Sequence, residues 1–203
     1  YVQENFDTTA DGVLTESELK QATEINVSYK GISDLTGVEY FTALQALNCG
    51  SNSLTTLDVR QNTALQTLWC SSNNLTVLDV RQNPKLNTLY CYKNNLTALD
   101  LSQNTALTNL ECDNNTYSIA LTGGTFDLST LPEGFDLGKA SNWANATVDG
   151  NTLTVTDLKT DVTYTYDLGN GETETFTLHP ASCTLTESMV ETISIQSHTG
   201  SKV

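Results

Sequence analysis

The sequence predicts a leucine-rich-repeat solenoid. It has a parallel β-sheet on its concave face, few helices, a short N-terminal helical cap and a C-terminal antiparallel β cap. Three observations predict this. A strict 21-residue period runs through the middle of the chain, the period fails after Leu121, and the segments beyond it alternate polar and apolar residues.

The period comes first. From Leu44 the chain reads LQALNCGSNSLTTLDVRQN, then LQTLWCSSNNLTVLDVRQN from Leu65 and LNTLYCYKNNLTALDLSQN from Leu86. A fourth copy, LTNLECDNN, starts at Leu107 and breaks down. The shared pattern is L-x-x-L-x-C-x-x-N-x-L. Each copy supplies one short strand with alternating faces, so Leu47 and Cys49 point inward while Ala46 and Asn48 face the concavity. One copy cannot bury its apolar face alone, and stacked neighbours bury it jointly. The asparagine after the strand (Asn52, Asn73, Asn94, Asn115) is expected to turn inward and satisfy backbone groups of a buried turn. An atypical first copy precedes these over residues 23–43, with Ile25, Val27, Ile32 and Leu35 in the apolar slots and Lys30 at the asparagine position.

The expected organisation is residues 1–22 as an N-terminal cap, 23–121 as repeats, 122–180 as a β-rich C-terminal cap, and 181–203 as a tail or linker. In the cap, TVDGNTLTV, VTYTYDL and ETETFTLH read as half-buried strands, and Gly169-Asn170-Gly171 reads as a hairpin turn. The cap is expected to cover the open end of the solenoid, where leucine, cysteine and a strand edge would otherwise be bare. The chain does not begin with Met and its sole methionine is Met189, which predicts a mature or trimmed fragment.

Four cysteines, Cys49, Cys70, Cys91 and Cys112, recur in the inward slot. They read either as small core hydrophobes or as disulfide partners between rungs. Side chains that run parallel on neighbouring strands have poor geometry for a bridge. A ladder also spreads thiolates along a line, whereas a zinc site needs them to converge. Cys183 lies outside the ladder and has no assigned role.

The cysteine ladder at period 21, with the phrase C-x-x-N-x-L-T-x-L-D-[VL], resembles the internalin-type leucine-rich repeats of bacterial surface proteins, particularly the cysteine-ladder subgroup. The resemblance covers about residues 23–121. It implies a secreted or wall-attached bacterial protein whose concave face engages a protein or glycan ligand on a host or neighbouring cell. It also implies an N-terminal cap and a β-sandwich-like domain after the last repeat. The chain departs from the family in its few repeats and in lacking a visible wall-sorting motif.

Residues 7–18, DTTADGVLTESE, look like an EF-hand or dockerin-type calcium loop. Asp7, Thr9, Asp11, the Val13 carbonyl and Glu18 fall at the ligand positions, with Gly12 at the sharp turn. Thr9 stands where Asp or Asn is usual, and the entering segment is short. The same residues read equally as an Asp-Gly turn followed by a capping box, with Thr15 as N-cap and Glu18 three residues on.

On the concave face one column runs Asn26, Asn48, Trp69, Tyr90, Glu111, and the next runs Ser28, Gly50, Ser71, Tyr92, Asp113, with Lys93 beside it. Trp69, Tyr90 and Tyr92 are large aromatics where the core does not need them. With Lys93, Glu111 and Asp113 they form the expected ligand-binding site. The competing reading is a cross-strand stack that stiffens the sheet.

A net charge of −15 excludes nucleic acid as a partner, because a polyanion releases no counterions from phosphates. No apolar run reaches the length of a membrane span, so no membrane insertion is expected. No nucleophile elbow, P-loop, Rossmann glycine pattern or HExxH is present, and both histidines, His179 and His198, lie near the C-terminus. The expectation is a monomeric, non-enzymatic binding or adhesion module at the bacterial surface or outside the cell. The alternatives are a structural spacer or an accessory domain of a larger secreted or surface protein.

Overall fold

The computed structural model describes residues 5–181. The tail expected at the C-terminus, apart from Ala181, and Cys183 with it, lies outside the described residues.

The period becomes a solenoid. β1 (Glu24–Asn26), β2 (Ala46–Asn48), β3 (Thr67–Trp69), β4 (Thr88–Tyr90) and β5 (Asn109–Glu111) form one parallel sheet in chain order. The register keeps equivalent residues level: Ile25 beside Leu47, Leu47 beside Leu68, Leu68 beside Leu89, Leu89 beside Leu110. The leucines that open copies one to three, their strand leucines and Cys49, Cys70 and Cys91 are fully buried. Leu54, Leu75 and Leu96, from the flank that descends after each strand, complete the interior.

The asparagine after each strand does the work the pattern demanded. Asn73 Nδ2 donates to the Cys49 and Cys70 carbonyls at 3.1 and 3.0 Å, and its Oδ1 accepts from Leu54 N at 3.0 Å. Asn94 repeats the set with Cys70, Cys91 and Leu75. Asn115 does so with Cys91, Cys112 and Leu96. In the copy from Leu44, Asn52 Oδ1 accepts from Ile32 N, the same cross-rung bond, and also from Lys30 N, where the preceding copy lacks its asparagine.

A second asparagine ladder stands on the far side of the core, at the end of the R-Q-N and S-Q-N runs. Asn62, Asn83 and Asn104 are buried. Each Nδ2 bonds two carbonyls of the preceding turn, Val59 and Asn62 in the case of Asn83, both at 2.9 Å. Between the two ladders lie exposed ion pairs. Arg60 grips Asp58 through two nitrogens, and Arg81 grips Asp79 likewise. The third copy has Ser102 at the arginine position. There Lys139, from the C-terminal part, approaches Asp100 at 3.9 Å.

The C-terminal part is two sheets. β7 (Thr125–Asp127), β10 (Thr152–Val155) and β9 (Ala146–Asp149) make the smaller, antiparallel one. The larger has the order β6 (Thr116–Ala120), β12 (Thr173–Ala181), β11 (Val162–Asp167), β8 (Ala140–Ala144). The three strands expected from the alternation are β9 with β10, β11 and β12, and the Gly169–Gly171 turn joins the last two. Two features differ from expectation. β6 comes from the segment read as the end of the repeats, and it pairs with β12 in parallel, Thr116 beside Thr177. Its residues occupy the descending flank of the fourth copy, so β12 stacks on that flank as one further rung. Residues 126–143, where no alternation was expected, contribute two 3₁₀ turns, Leu128–Thr130 and Leu137–Lys139, and most of β8.

Aromatic residues seal the junction. Tyr164 and Phe176 are buried, and Tyr164 stacks on Trp143 at 4.5 Å. The Tyr164 hydroxyl donates to the Thr97 carbonyl of the third repeat at 2.6 Å. Leu101 N donates to Leu168 O at 2.8 Å, and Thr177 N to Asn115 O at 3.1 Å. At the Gly169 turn φ is +83°, and a Cβ there would sit 3.2 Å from that of Ser102. The hairpin therefore needs the glycine.

The ladder cysteines are free thiols, all buried. Burial pushes the Cys49 thiol up to about 12 and Cys70 well above its ordinary value. Cys91 is raised by its hydrogen bond with Cys112 and then by burial. Thiolate is the reactive form. Maleimide is therefore expected to label the four ladder thiols at least about tenfold more slowly in native protein than after unfolding. Mass spectrometry of the time course reads this directly, and equal rates would refute burial.

Candidate functional site

The concave patch is assembled by the register. Trp69 and Tyr90 are paired residues of β3 and β4, and their rings stack with centroids 6.3 Å apart and planes at 26°. Trp69 is 36% exposed and Tyr90 is half-buried. Tyr92 is also half-buried and takes the Lys93 ammonium over its ring at 5.9 Å from the centroid. Lys93, like Ser51, Ser72 and Asn114, has a left-handed backbone, φ +53° in its case. This third column is thus a sharp corner at the lip of the sheet. Glu111 and Asp113 stand exposed on the next rung. The six residues therefore fall on adjacent rungs of one face. The ring contact joins Trp69 and Tyr90, while Tyr92 pairs with Lys93. The stacking reading and the binding reading describe the same rings, since the stack fixes their orientation and leaves about a third of Trp69 exposed.

The N-terminal loop places its acids differently. Asp7 turns into its own loop, accepting from Gly12 N at 2.8 Å, Asp11 N at 3.3 Å and Thr9 Oγ1 at 3.3 Å. Asp11 accepts from Val13 N at 2.9 Å. Glu18 lies on α1 (Glu16–Leu19) and is buried. Its Oε1 accepts from Thr8 N, Thr8 Oγ1 and Thr9 N, and its Oε2 from Thr15 N and Thr15 Oγ1. The capping box is complete, with Thr15 as N-cap. A calcium ion here would have hard oxygens from Asp7, Thr9, Asp11, Val13 and Glu18 within one loop, but it would compete with five protein donors for Glu18. Among the described residues no group of three or more acids, histidines or cysteines is set to hold a metal.

Hydrogen bonds from the Thr15 amide, then from the Thr8 and Thr15 hydroxyls, hold the Glu18 carboxyl down to about 2. A depressed carboxyl stabilises the fold above its unfolded pKa of about 4.5, and that contribution is lost as pH falls toward 2. Glu18→Gln is expected to lower the melting temperature at pH 7 and to flatten its fall between pH 4.5 and 2. Parallel melting curves for the two proteins across that window would overturn the assignment.

The sequence reading missed a groove of about 700 Å³ on the opposite flank, lined by Thr55, Val77, Arg60, Arg81, Asp100 and Glu133 among others. Its arginines are committed to Asp58 and Asp79. The recurring D-V-R phrase was the available signal.

No helix among the described residues is long and apolar enough to cross a membrane. No protein-family model matches the chain. A stretch of 57 residues, 28% of this chain, is 44% identical to Internalin J of Listeria monocytogenes serotype 4b (strain F2365), where it spans 6% of that protein. Among solved structures, an internalin (InlF) from L. monocytogenes strain 4b F2365 aligns with a TM-score of 0.48 and 20% identity, over 59% of this chain and 47% of that one. The functional domain of InlJ from L. monocytogenes, which includes a cysteine ladder, aligns with a TM-score of 0.47 and 24% identity, over 82% of this chain and 50% of that one. This chain thus spans about half of each solved relative and a small part of the curated one. With the Cys ladder and its asparagines in the positions described, the repeats of this chain are leucine-rich repeats that resemble those of Internalin J.

Proposed function

We propose that the chain is a non-enzymatic bacterial extracellular binding module that takes a protein or glycan ligand on its concave face. Trp69 and Tyr90 would form the centre, with Tyr92, Lys93, Glu111 and Asp113 around them. The observation that carries this is Trp69, a large ring left 36% exposed while stacked on Tyr90 above a core already filled by leucine and cysteine. Covering such a ring recovers roughly 25 cal/mol per Å². Once a glycan array or host-protein screen supplies a ligand, Trp69→Ala should weaken it by about 2 kcal/mol, some thirtyfold in Kd. Unfolding free energy should change by less than about 1 kcal/mol. A ligand that binds this variant as tightly as wild type would place the site elsewhere.

Calcium at the Asp7–Glu18 loop is a second proposal, with a structural role in holding the N-terminal cap. Millimolar calcium should raise the melting temperature, and Glu18→Ala should abolish the rise. An unchanged wild-type melting curve would leave the loop as a capped turn alone.

A further inference from the structure

The concave sheet ends one rung early. On the descending flank, β12 stacks beyond β6. Beyond β5 nothing pairs among the described residues. The period shows what is missing. Cys49 N donates to Trp69 O, Cys70 N to Tyr90 O and Cys91 N to Glu111 O, at 2.8 to 2.9 Å. Ser51 N donates to Ser71 O, Ser72 N to Tyr92 O and Lys93 N to Asp113 O. Gln45 O accepts from Gln66 N, Gln66 O from Asn87 N, and Asn87 O from Thr108 N. Their fourth-copy equivalents, Cys112 N, Asn114 N and Thr108 O, have no partner among the described residues. The apolar layer is open at the same place. Leu107 and Leu110 are only half-buried, whereas Leu44, Leu47, Leu65, Leu68, Leu86 and Leu89 are at 0%.

We propose that the outer edge of β5 is a docking site for an extended basic peptide of another protein, added as a sixth parallel strand. The backbone pattern fixes the mode, because unpaired strand groups beside an open apolar layer are completed by strand addition. The span from Gln66 to Ser71, which meets the equivalent groups one rung earlier, sets the length at six residues. Two inward side chains would stand over Leu110 and Cys112, the places that Leu89 and Cys91 take over Leu68 and Cys70. The concave side chains would stand beside Glu111 and Asp113, both exposed, which selects lysine or arginine. The same acids disfavour a second copy of this chain, since self-pairing sets Glu111 and Asp113 against their own kind in a molecule of net charge −15. This edge shares Glu111 and Asp113 with the proposed concave site but not the Trp69–Tyr90 stack, and its backbone pairing does not depend on that stack.

The probe is acetyl-Thr-Lys-Leu-Lys-Val-Lys-amide, with one control N-methylated at its first two residues and another carrying Glu for Lys. Amide exchange of the full chain is followed by NMR. Saturating probe should slow exchange at Cys112 and Asn114 at least tenfold, without shifting the Trp69 indole as a ligand on the aromatic stack would. Both controls, and the Glu111→Lys/Asp113→Lys double variant tested with the original probe, should lose at least tenfold in affinity. Three results would each overturn the proposal. Cys112 and Asn114 could prove protected already in the free chain, the N-methylated peptide could bind as well as the probe, or the protection could fall elsewhere.

Discussion

Asn94→Ala is expected to destabilise the chain by about 3–5 kcal/mol, more than most single core truncations of similar volume. The amide bridges two turns of the solenoid through three hydrogen bonds. Its Nδ2 serves the Cys70 and Cys91 carbonyls and its Oδ1 the Leu75 amide, all buried. Truncation removes one partner and leaves these three groups without water, and each stranded group costs about 1–3 kcal/mol. The costs are not additive, because the turn can relax, which keeps the total below their sum. Urea denaturation should show the midpoint fall at an unchanged slope. Asn94→Asp is an instructive companion. It keeps the acceptor, replaces two donors with a carboxylate oxygen facing carbonyls, and should be at least as damaging. A loss under about 1 kcal/mol for Asn94→Ala would mean that the turn satisfies itself without the side chain.

Tyr164→Ala should cost about 3–5 kcal/mol, by the measure of large aromatic truncations in cores. The ring lies between Trp143 and Phe176, with Phe135 at its edge, and the hydroxyl reaches across to Thr97 O. Tyr164→Phe separates the two contributions. It keeps the packing, strands the Thr97 carbonyl and should cost about 1–2 kcal/mol. Because this hydroxyl joins the C-terminal sheets to the third repeat, both variants should lower the cooperativity between the parts as well as the midpoint. Amide exchange would show the C-terminal sheets opening ahead of the repeats. If both halves of Tyr164→Ala still unfold together with wild-type stability, the junction is held elsewhere, at Leu101–Leu168 and Asn115–Thr177.

The repeats were legible because a parallel stack writes the same local environment at a fixed interval, so Leu47, Cys49 and Asn52 could be placed by analogy with their copies. The Asn62, Asn83 and Asn104 ladder recurs at the same interval. It escaped notice because a polar residue after Arg-Gln reads as surface, and only the turn of the chain carries it inward. The C-terminal strands were legible where alternation is local. β6 was not, because its partner lies some sixty residues downstream in parallel, a pairing that leaves no mark in the sequence around Thr116. In the candidate site, column positions followed from the strand period. The contact of Lys93 with Tyr92, the left-handed corner and the commitment of Glu18 to threonine donors are side-chain choices that spacing does not fix.

Ser102 has a meaning beyond its contacts. The two earlier copies carry arginine at this point, and Ser102 lies directly beneath the Gly169 turn. The array therefore carries a mark at its last full turn, a serine beneath the C-terminal hairpin where the earlier turns have arginine. Duplicating residues 65–85 would lengthen the protein by one full turn and leave that mark in place. The concave face could then grow by whole rungs during evolution, or by design, with neither end needing to be rebuilt.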